Sequence, residues 1–192
     1  IYRRSALVFA ADKGQTKIVK LLIENKANLD LQSNNGQTAL IIAVTNGQKI
    51  IAKLLIKNKA NLDLQNEIGH SALIVAAFEG HTEIVELLIE NKANLNLRER
   101  NRMTALMATA SKGFTEIAKF LIKNKANLEI QDNNGSTALL IAASNGHTKI
   151  VKLLIENKAK VDVQDNDGDT ALHYASYKYN KVAKYLIHRG AN

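Results

Sequence analysis

The side chains suited to chemistry are few. Five histidines stand at His70, His81, His147, His173 and His188. None belongs to a His-Glu-x-x-His pair, so the helix-borne zinc motif of metalloproteases is not in the sequence. There is no Gly-rich phosphate loop and no nucleophile elbow. With no Cys, thiolate ligands, cysteine nucleophiles and disulfides are excluded. His81 and His147 follow a Gly in matching contexts, Gly-His-Thr-Glu-Ile-Val and Gly-His-Thr-Lys-Ile-Val. That placement suits satisfying loop backbone groups better than catalysis. His70 falls in a turn just before a helical run and is expected to be exposed. Ser and Thr sit at helix starts and turns, where local backbone bonding accounts for them.

Two short runs could bind ions. Asp165-Asn166-Asp167-Gly168-Asp169 looks like a calcium loop. Placing Gly168 at the obligatory Gly puts Val163 at the first ligand position and Tyr174 at the last, and neither can coordinate calcium there. No metal or other cofactor is expected. Arg98-Glu99-Arg100-Asn101-Arg102 is different, because three guanidinium groups so close together suit phosphate or carboxylate. The chemistry the chain carries is that of recognition, not turnover.

The elements that position these residues come from a repeat. LLIENKANL at 21–29 returns letter for letter at 87–95, with LLIKNKANL at 54–62, FLIKNKANL at 120–128 and LLIENKAKV at 153–161. Ala27, Ala60, Ala93, Ala126 and Ala159 mark a period of about 33 residues, the size that signals a stacked array. A second phrase keeps the beat: TALIIA at 38–43, SALIVA at 71–76, TALMAT at 104–109, TALLIA at 137–142 and TALHYA at 170–175, with Ser5-Ala6-Leu7 an earlier copy. Six units follow, at about 1–32, 33–65, 66–98, 99–131, 132–164 and 165–192, the first and last incomplete. They are expected to form one domain, 1–192, cut from a longer chain.

Residues 33–65 show the physics of one unit. Thr38 can cap a short helix by accepting a free backbone N–H. Leu40 and Ala43 give that helix an apolar side, and Gly47 is free to take positive φ and end it. A second helix runs from about Lys49 to Asn58, with Ile51, Leu54 and Leu55 on one face. The alternating stretch Asn61-Leu62-Asp63-Leu64-Gln65 is expected to be extended. Helices this short are marginal alone, so each unit must bury its face against the next. The repeated phrase is the repeated packing interface.

The pattern Gly-x-Thr-Ala-Leu-x-x-Ala, then Gly-His-Thr-Glu-Ile-Val-x-Leu-Leu-Ile, then Ala-Asn-Leu, resembles the ankyrin repeat over essentially the whole chain. The resemblance implies an all-α solenoid of antiparallel helix pairs with projecting hairpin-like loops, and a concave side made of hairpin tips and first helices. The departures carry information. The family's Pro after the Thr is replaced by Ala39, Ala72, Ala105, Ala138 and Ala171, a tolerable loss at a first helical position. Its His is replaced by Val8, Ile41, Ile74, Met107 and Leu140, and only His173 keeps it, so apolar packing is expected to stand in for polar bonding. Its Gly after the second helix is Lys26, Lys59, Lys92, Lys125 and Lys158; left-handed there, each Lys costs about 1 kcal/mol relative to Gly. The last unit is one residue short around Tyr177-Lys178-Tyr179-Asn180.

Net charge is +8. A basic balance is compatible with nucleic acid or an anionic membrane surface. The Lys residues are spread evenly through the repeat, the mark of a solvated face. Aromatic content is 5%, without the interleaving that nucleic-acid binders use, so nucleic acid is not the expected partner. No apolar run approaches the roughly 18 residues of a transmembrane helix. A Cys-free chain fits the cytoplasm or another reducing compartment, and leaves delivery into a host cell as an effector open.

A partner is read from residues that break the repeat's own pattern. In the fourth unit, Arg102 replaces the turn Gly, Met103 replaces a polar residue, Arg98 and Arg100 flank them, and Phe114 replaces the residue after the inter-helix Gly, with Lys112 nearby. In the third, Ile68 lies at the turn, and Phe78 and Glu79 stand where the first helix ends. Tyr177 and Tyr179 mark the last. Aromatics, Met and Arg are the residues enriched at interface hot spots. Ile50, an apolar residue where other units carry Lys or Glu, is an exposed candidate on another side. The expected function is a non-catalytic, monomeric scaffold that binds a protein partner through hairpin tips and the concave face. The alternatives are a basic platform for nucleic acid or anionic lipid, and a targeting module beside an enzyme elsewhere in the parent chain.

Overall fold

The computed structural model describes residues 5–191; the ends of the expected 1–192 domain lie outside them. Among the described residues there are twelve α-helices and no strand. They fall into two compact units, one ending at Arg100 and the other starting at Asn101. The first holds α1 (Ala6–Asp12), α2 (Thr16–Glu24), α3 (Ala39–Thr45), α4 (Lys49–Lys57), α5 (Ala72–Glu79) and α6 (Thr82–Glu90). The second holds α7 (Ala105–Lys112), α8 (Thr115–Lys123), α9 (Ala138–Ser144), α10 (Thr148–Glu156), α11 (Ala171–Lys178) and α12 (Asn180–His188).

Each repeat contributes a short first helix and a nine-residue second helix. The first helix starts where its phrase predicts. Thr38 Oγ1 accepts the Ile41 amide at 3.1 Å, and Ser71 and Thr137 do the same for Ile74 and Leu140. Thr38→Ala is expected to lower stability by about 1 kcal/mol, read as a drop in the urea midpoint. An unchanged midpoint would show that the cap is dispensable in a stacked helix.

Small residues then let neighbouring first helices meet. In the first unit α1 packs on α3 and α3 on α5; in the second, α7 packs on α9 and α9 on α11. Ala10, Ala43, Ala76, Ala142 and Ala175 lie in these contacts fully buried. Thr109 is the exception at that position, and it stays buried by donating its hydroxyl to Leu106 O at 2.7 Å. The second helices stack in the same order within each unit, on faces carrying Ile51 and Leu55 or Ile117 and Leu121. Each such side chain removed from water contributes about 1.5–3 kcal/mol.

The second helices end with Lys in the left-handed region. Lys26, Lys59, Lys92, Lys125 and Lys158 have φ between 59° and 70°. In the first repeat Ala27 N donates to Leu22 O and Lys26 N to Ile23 O, the pairing of a Schellman cap. Asn25 adds its side-chain amide to Leu21 O at 2.9 Å. The chain therefore accepts a strained Lys where Gly would be relaxed. The following stretch departs from expectation: residues 61–65 are not extended but bend at 62–63. The Asp63 amide turns back onto Asn61 Oδ1 at 3.0 Å, a local bond that Asn offers in preference to a ladder.

Candidate functional site

The turns between repeats are built from a small kit of side chains. In the first unit, Gln32 Nε2 donates to Gly36 O at 2.9 Å in its own turn and to Gln65 O at 2.8 Å in the next. Gln65 repeats this with Gly69 O and with Arg98 O. Asn66 Oδ1 collects the amides of Ile68 and His70. The tips join through one backbone bond per neighbouring pair, Glu67 N to Asn35 O and Arg100 N to Ile68 O at 2.9 Å. The second unit uses the same devices. Gln131 Nε2 reaches Gly135 O and Gln164 O, Asp132 Oδ1 takes the Asn134 and Ser136 amides, and Asn133 N donates to Asn101 O.

Against that kit, residues 98–103 stand apart. Arg98 holds the position of the stitching Gln, Glu99 that of the turn-folding Asn, Asp or Ser, and Arg102 that of the Gly. Arg102 keeps the positive φ of the Gly it replaces, at 63°. Arg100 N still donates to Ile68 O, and Asn101 O still accepts from Asn133 N, as at the other tips.

The candidate residues take these places. In the first unit Arg98 and Arg100 are exposed, and Arg100 Nη2 donates to Glu67 O at 3.2 Å. Ile68 is 43% exposed and is joined to Arg100 through the tip bond. Phe78 is 42% exposed at the end of α5, next to exposed Glu79. Ile50 is 66% exposed at the start of α4. In the second unit Arg102 and Lys112 are exposed, while Met103 and Phe114 are half-buried. Tyr177 stands almost wholly in solvent at the end of α11, at 93%.

Four of the five histidines are placed by local structure. His147 Nε2 lies 3.1 Å from Ser111 O, and its ring covers Gly113. The His81 ring covers Gly47, but its buried Nε2 has no hydrogen-bond partner among the described residues, so the expected bonding to the loop backbone is seen at His147 and not at His81. Tyr179 takes the same slot over Gly146 in the shortened last repeat. A Cβ on Gly146 would stand 2.4 Å from the Tyr179 ring, so this column needs Gly beneath each ring. His70, expected to be exposed, is half-buried, because the turn folds its amide onto Asn66. Val8, Ile41, Ile74, Met107 and Leu140 are all buried, as apolar replacement of His requires. His173 Nδ1 accepts the Thr170 amide at 3.2 Å; in the fourth repeat Met107 Sδ takes that part for Thr104 N at 3.4 Å.

The carboxylate of Asp165 is committed to its own turn. Oδ1 accepts the Asp167 and Asp169 amides at 3.0 Å each, and Oδ2 accepts the Tyr174 hydroxyl at 2.6 Å. Burial pushes the Asp165 carboxyl up, but the Tyr174 hydroxyl and the turn amides outweigh it and hold the group below its usual value. The hydrogen bond to Asp165, then burial and the neighbouring Asp charges, push Tyr174 up to about 12. The signs follow from linkage. The Asp165 contribution is present above the ordinary carboxylate pKa and is lost as pH falls through the depressed value. The Tyr174 contribution is complete below about 10 and is lost as pH rises toward about 12. Tyr174→Phe is expected to lower stability by about 1–2 kcal/mol at neutral pH. The gap between native and variant should narrow across the alkaline window, as read from urea midpoints. A gap independent of pH would detach the hydroxyl from this role.

Asp169 and Tyr174 fall in the rejected calcium loop and Lys178 in the shortened unit, but the sequence offers none of them, nor Ser144, as a binding residue. The signal was present, since other repeats carry Phe9, Ile42, Val75, Ala108 and Ile141 where Tyr174 stands. Arg98 was noted as a flanking cation; its replacement of a stitching Gln emerges only from the bonds.

Three overlapping matches to the family model described as ankyrin repeats cover residues 2–66, 50–132 and 106–192. Among solved structures, an ankyrin repeat domain from Acinetobacter baumannii AYE superposes with a TM-score of 0.92 at 29% identity, covering 97% of this chain and 98% of that one. The ankyrin repeat protein EF0377 gives 0.91 at 34% identity, with both chains covered completely. No curated protein sequence matches the chain. No described helix is long and apolar enough to cross a membrane.

Proposed function

The chain belongs to the ankyrin repeat family, whose all-α solenoids are in general protein–protein interaction modules, and from that premise we propose that it is a non-catalytic scaffold that binds a protein partner through turn tips and first-helix ends. The observation that carries this reading is the exchange at 98–102. There the stitching Gln and the turn Gly of other repeats are replaced by exposed Arg98 and Arg102 and the turn-folding residue by Glu99, while the positive φ and the tip bonds are kept. Of these cations, Arg100 also donates to Glu67 O in the neighbouring turn. In the first unit, exposed Arg98 and Arg100, the latter joined to Ile68 by the tip bond, suit an acidic segment with apolar anchors. A preformed framework loses little entropy on docking. Glu79 in the first unit, and Met103, Lys112, Phe114 and Tyr177 in the second, are the other residues proposed to contact a partner.

The test is affinity capture from cytosolic extract at physiological salt. The native chain is run beside a variant with Phe78, Arg100 and Arg102 changed to Ala. The expected result is a protein retained by the native chain and lost from the variant. Equal recovery from both would remove these residues from the site. Recovery of mainly nucleic acid or anionic lipid, lost steeply as salt rises, would replace the scaffold with a basic platform.

A further inference from the structure

The last repeat carries a groove that the rest of the array does not prepare for. It lies in the second unit, has a volume of about 450 Å³, and is lined by α9, α11 and the turn before α11. Tyr174, Tyr177 and Tyr179 form much of its wall, with Ser144 opposite and Asp169 and Lys178 as its charged groups. These tyrosines are particular to this repeat. At the position of Tyr177 the others have Asp12, Thr45, Phe78, Ser111 and Ser144.

Two of the three rings are held in place. The hydroxyl of Tyr174 is bound to Asp165, and the ring of Tyr179 lies against Gly146. Tyr177 projects into solvent and is free to close over an occupant. Aromatic faces are negative and attract cations, and a planar guanidinium also stacks on them. The carboxylate of Asp169 lines the groove, and exposed Asp167 stands beside it in the turn. Two groups of other character line the groove. The Lys178 ammonium lies 5.8 Å from the centre of the Tyr179 ring and so has an aromatic face of its own. His173 is committed to the Thr170 amide at its own helix end.

We infer that this groove takes an arginine side chain from an extended segment of a protein partner, with the guanidinium stacked on tyrosine and paired to Asp169. The inference rests on the scaffold reading and shares only Tyr177 with its contact residues. A capture result that removes Phe78, Arg100 and Arg102 from the site leaves it standing.

The probes are acetylated, amidated pentapeptides with Arg, Glu or Leu between pairs of glycines, titrated into the full chain and followed by amide NMR shifts. The Arg peptide is expected to shift the amides of Tyr174, Tyr177 and Lys178. Tyr177→Ala and Asp169→Asn should each weaken it by about fivefold to tenfold. Because Tyr177 is solvent-exposed, the rest of the spectrum should stay native in that variant. No shift with the Arg peptide, equal binding of the Glu or Leu peptide, or unchanged affinity in Tyr177→Ala would each overturn the assignment.

Discussion

Changing Lys26, Lys59, Lys92, Lys125 and Lys158 together to Gly will raise the free energy of unfolding by about 3–5 kcal/mol. All five residues have left-handed φ, between 59° and 70°, where a Cβ crowds the backbone. Gly relieves that crowding, and its greater freedom in the unfolded chain offsets only part of the gain, leaving about 1 kcal/mol at each site. The sites lie in different repeats, so the increments should add to a first approximation. The capping bonds that run through these residues, such as Lys59 N to Ile56 O and Ala60 N to Leu55 O, involve only backbone and remain available to Gly. Urea and thermal midpoints measure the gain, with hydrogen exchange to show whether every repeat shares it. An unchanged or lowered midpoint would mean that the Lys side chains contribute contacts worth as much as the strain. The same variant removes five positive charges, so its capture profile also shows whether those lysines take part in binding.

Gly69→Ala will act in the opposite direction, lowering stability by about 3 kcal/mol. Its φ is 83°, and an added Cβ would stand 2.7 Å from Glu99 Cα and 3.0 Å from Arg100 N. These are backbone atoms held by the tip bond from Arg100 N to Ile68 O, so the clash cannot be relieved by turning a side chain. The expected cost combines left-handed strain of about 1–2 kcal/mol with overpacking of about 1–3 kcal/mol. Gly168→Ala supplies the control. Its φ is 86°, yet nothing lies within 4 Å of the added Cβ, so only the strain should appear. Equal losses in the two variants would remove close turn packing as the reason for Gly69.

Much of this architecture could be read from the chain. The period, the Thr and Ser caps, the apolar faces of the second helices and the left-handed Lys positions follow from local spacing and φ preferences, which act within a few residues. The anomalous residues at 98–103 were also legible, because a repeat protein carries its own comparison set. What escaped were bonds between residues one repeat apart. That Gln32 and Gln65 stitch successive turns, and that Arg98 has replaced such a stitch, depends on which carbonyl the next turn presents. The half-burial of His70 and the bend at 62–63 were likewise settled by amides folding onto nearby Asn side chains.

The sequence by itself determined the helices, their caps, the stacking faces and the family, since each rests on a pattern that recurs along one dimension. The tertiary structure alone decided which side chains are consumed by packing and which stay accessible to solvent. Asp165 and Asp169 show the difference. They are the same residue type four positions apart, yet one is bound up by Tyr174 and two turn amides while the other lines a groove. Burial and hydrogen bonding are properties of the space around an atom, and that space is filled by residues the local sequence does not contain.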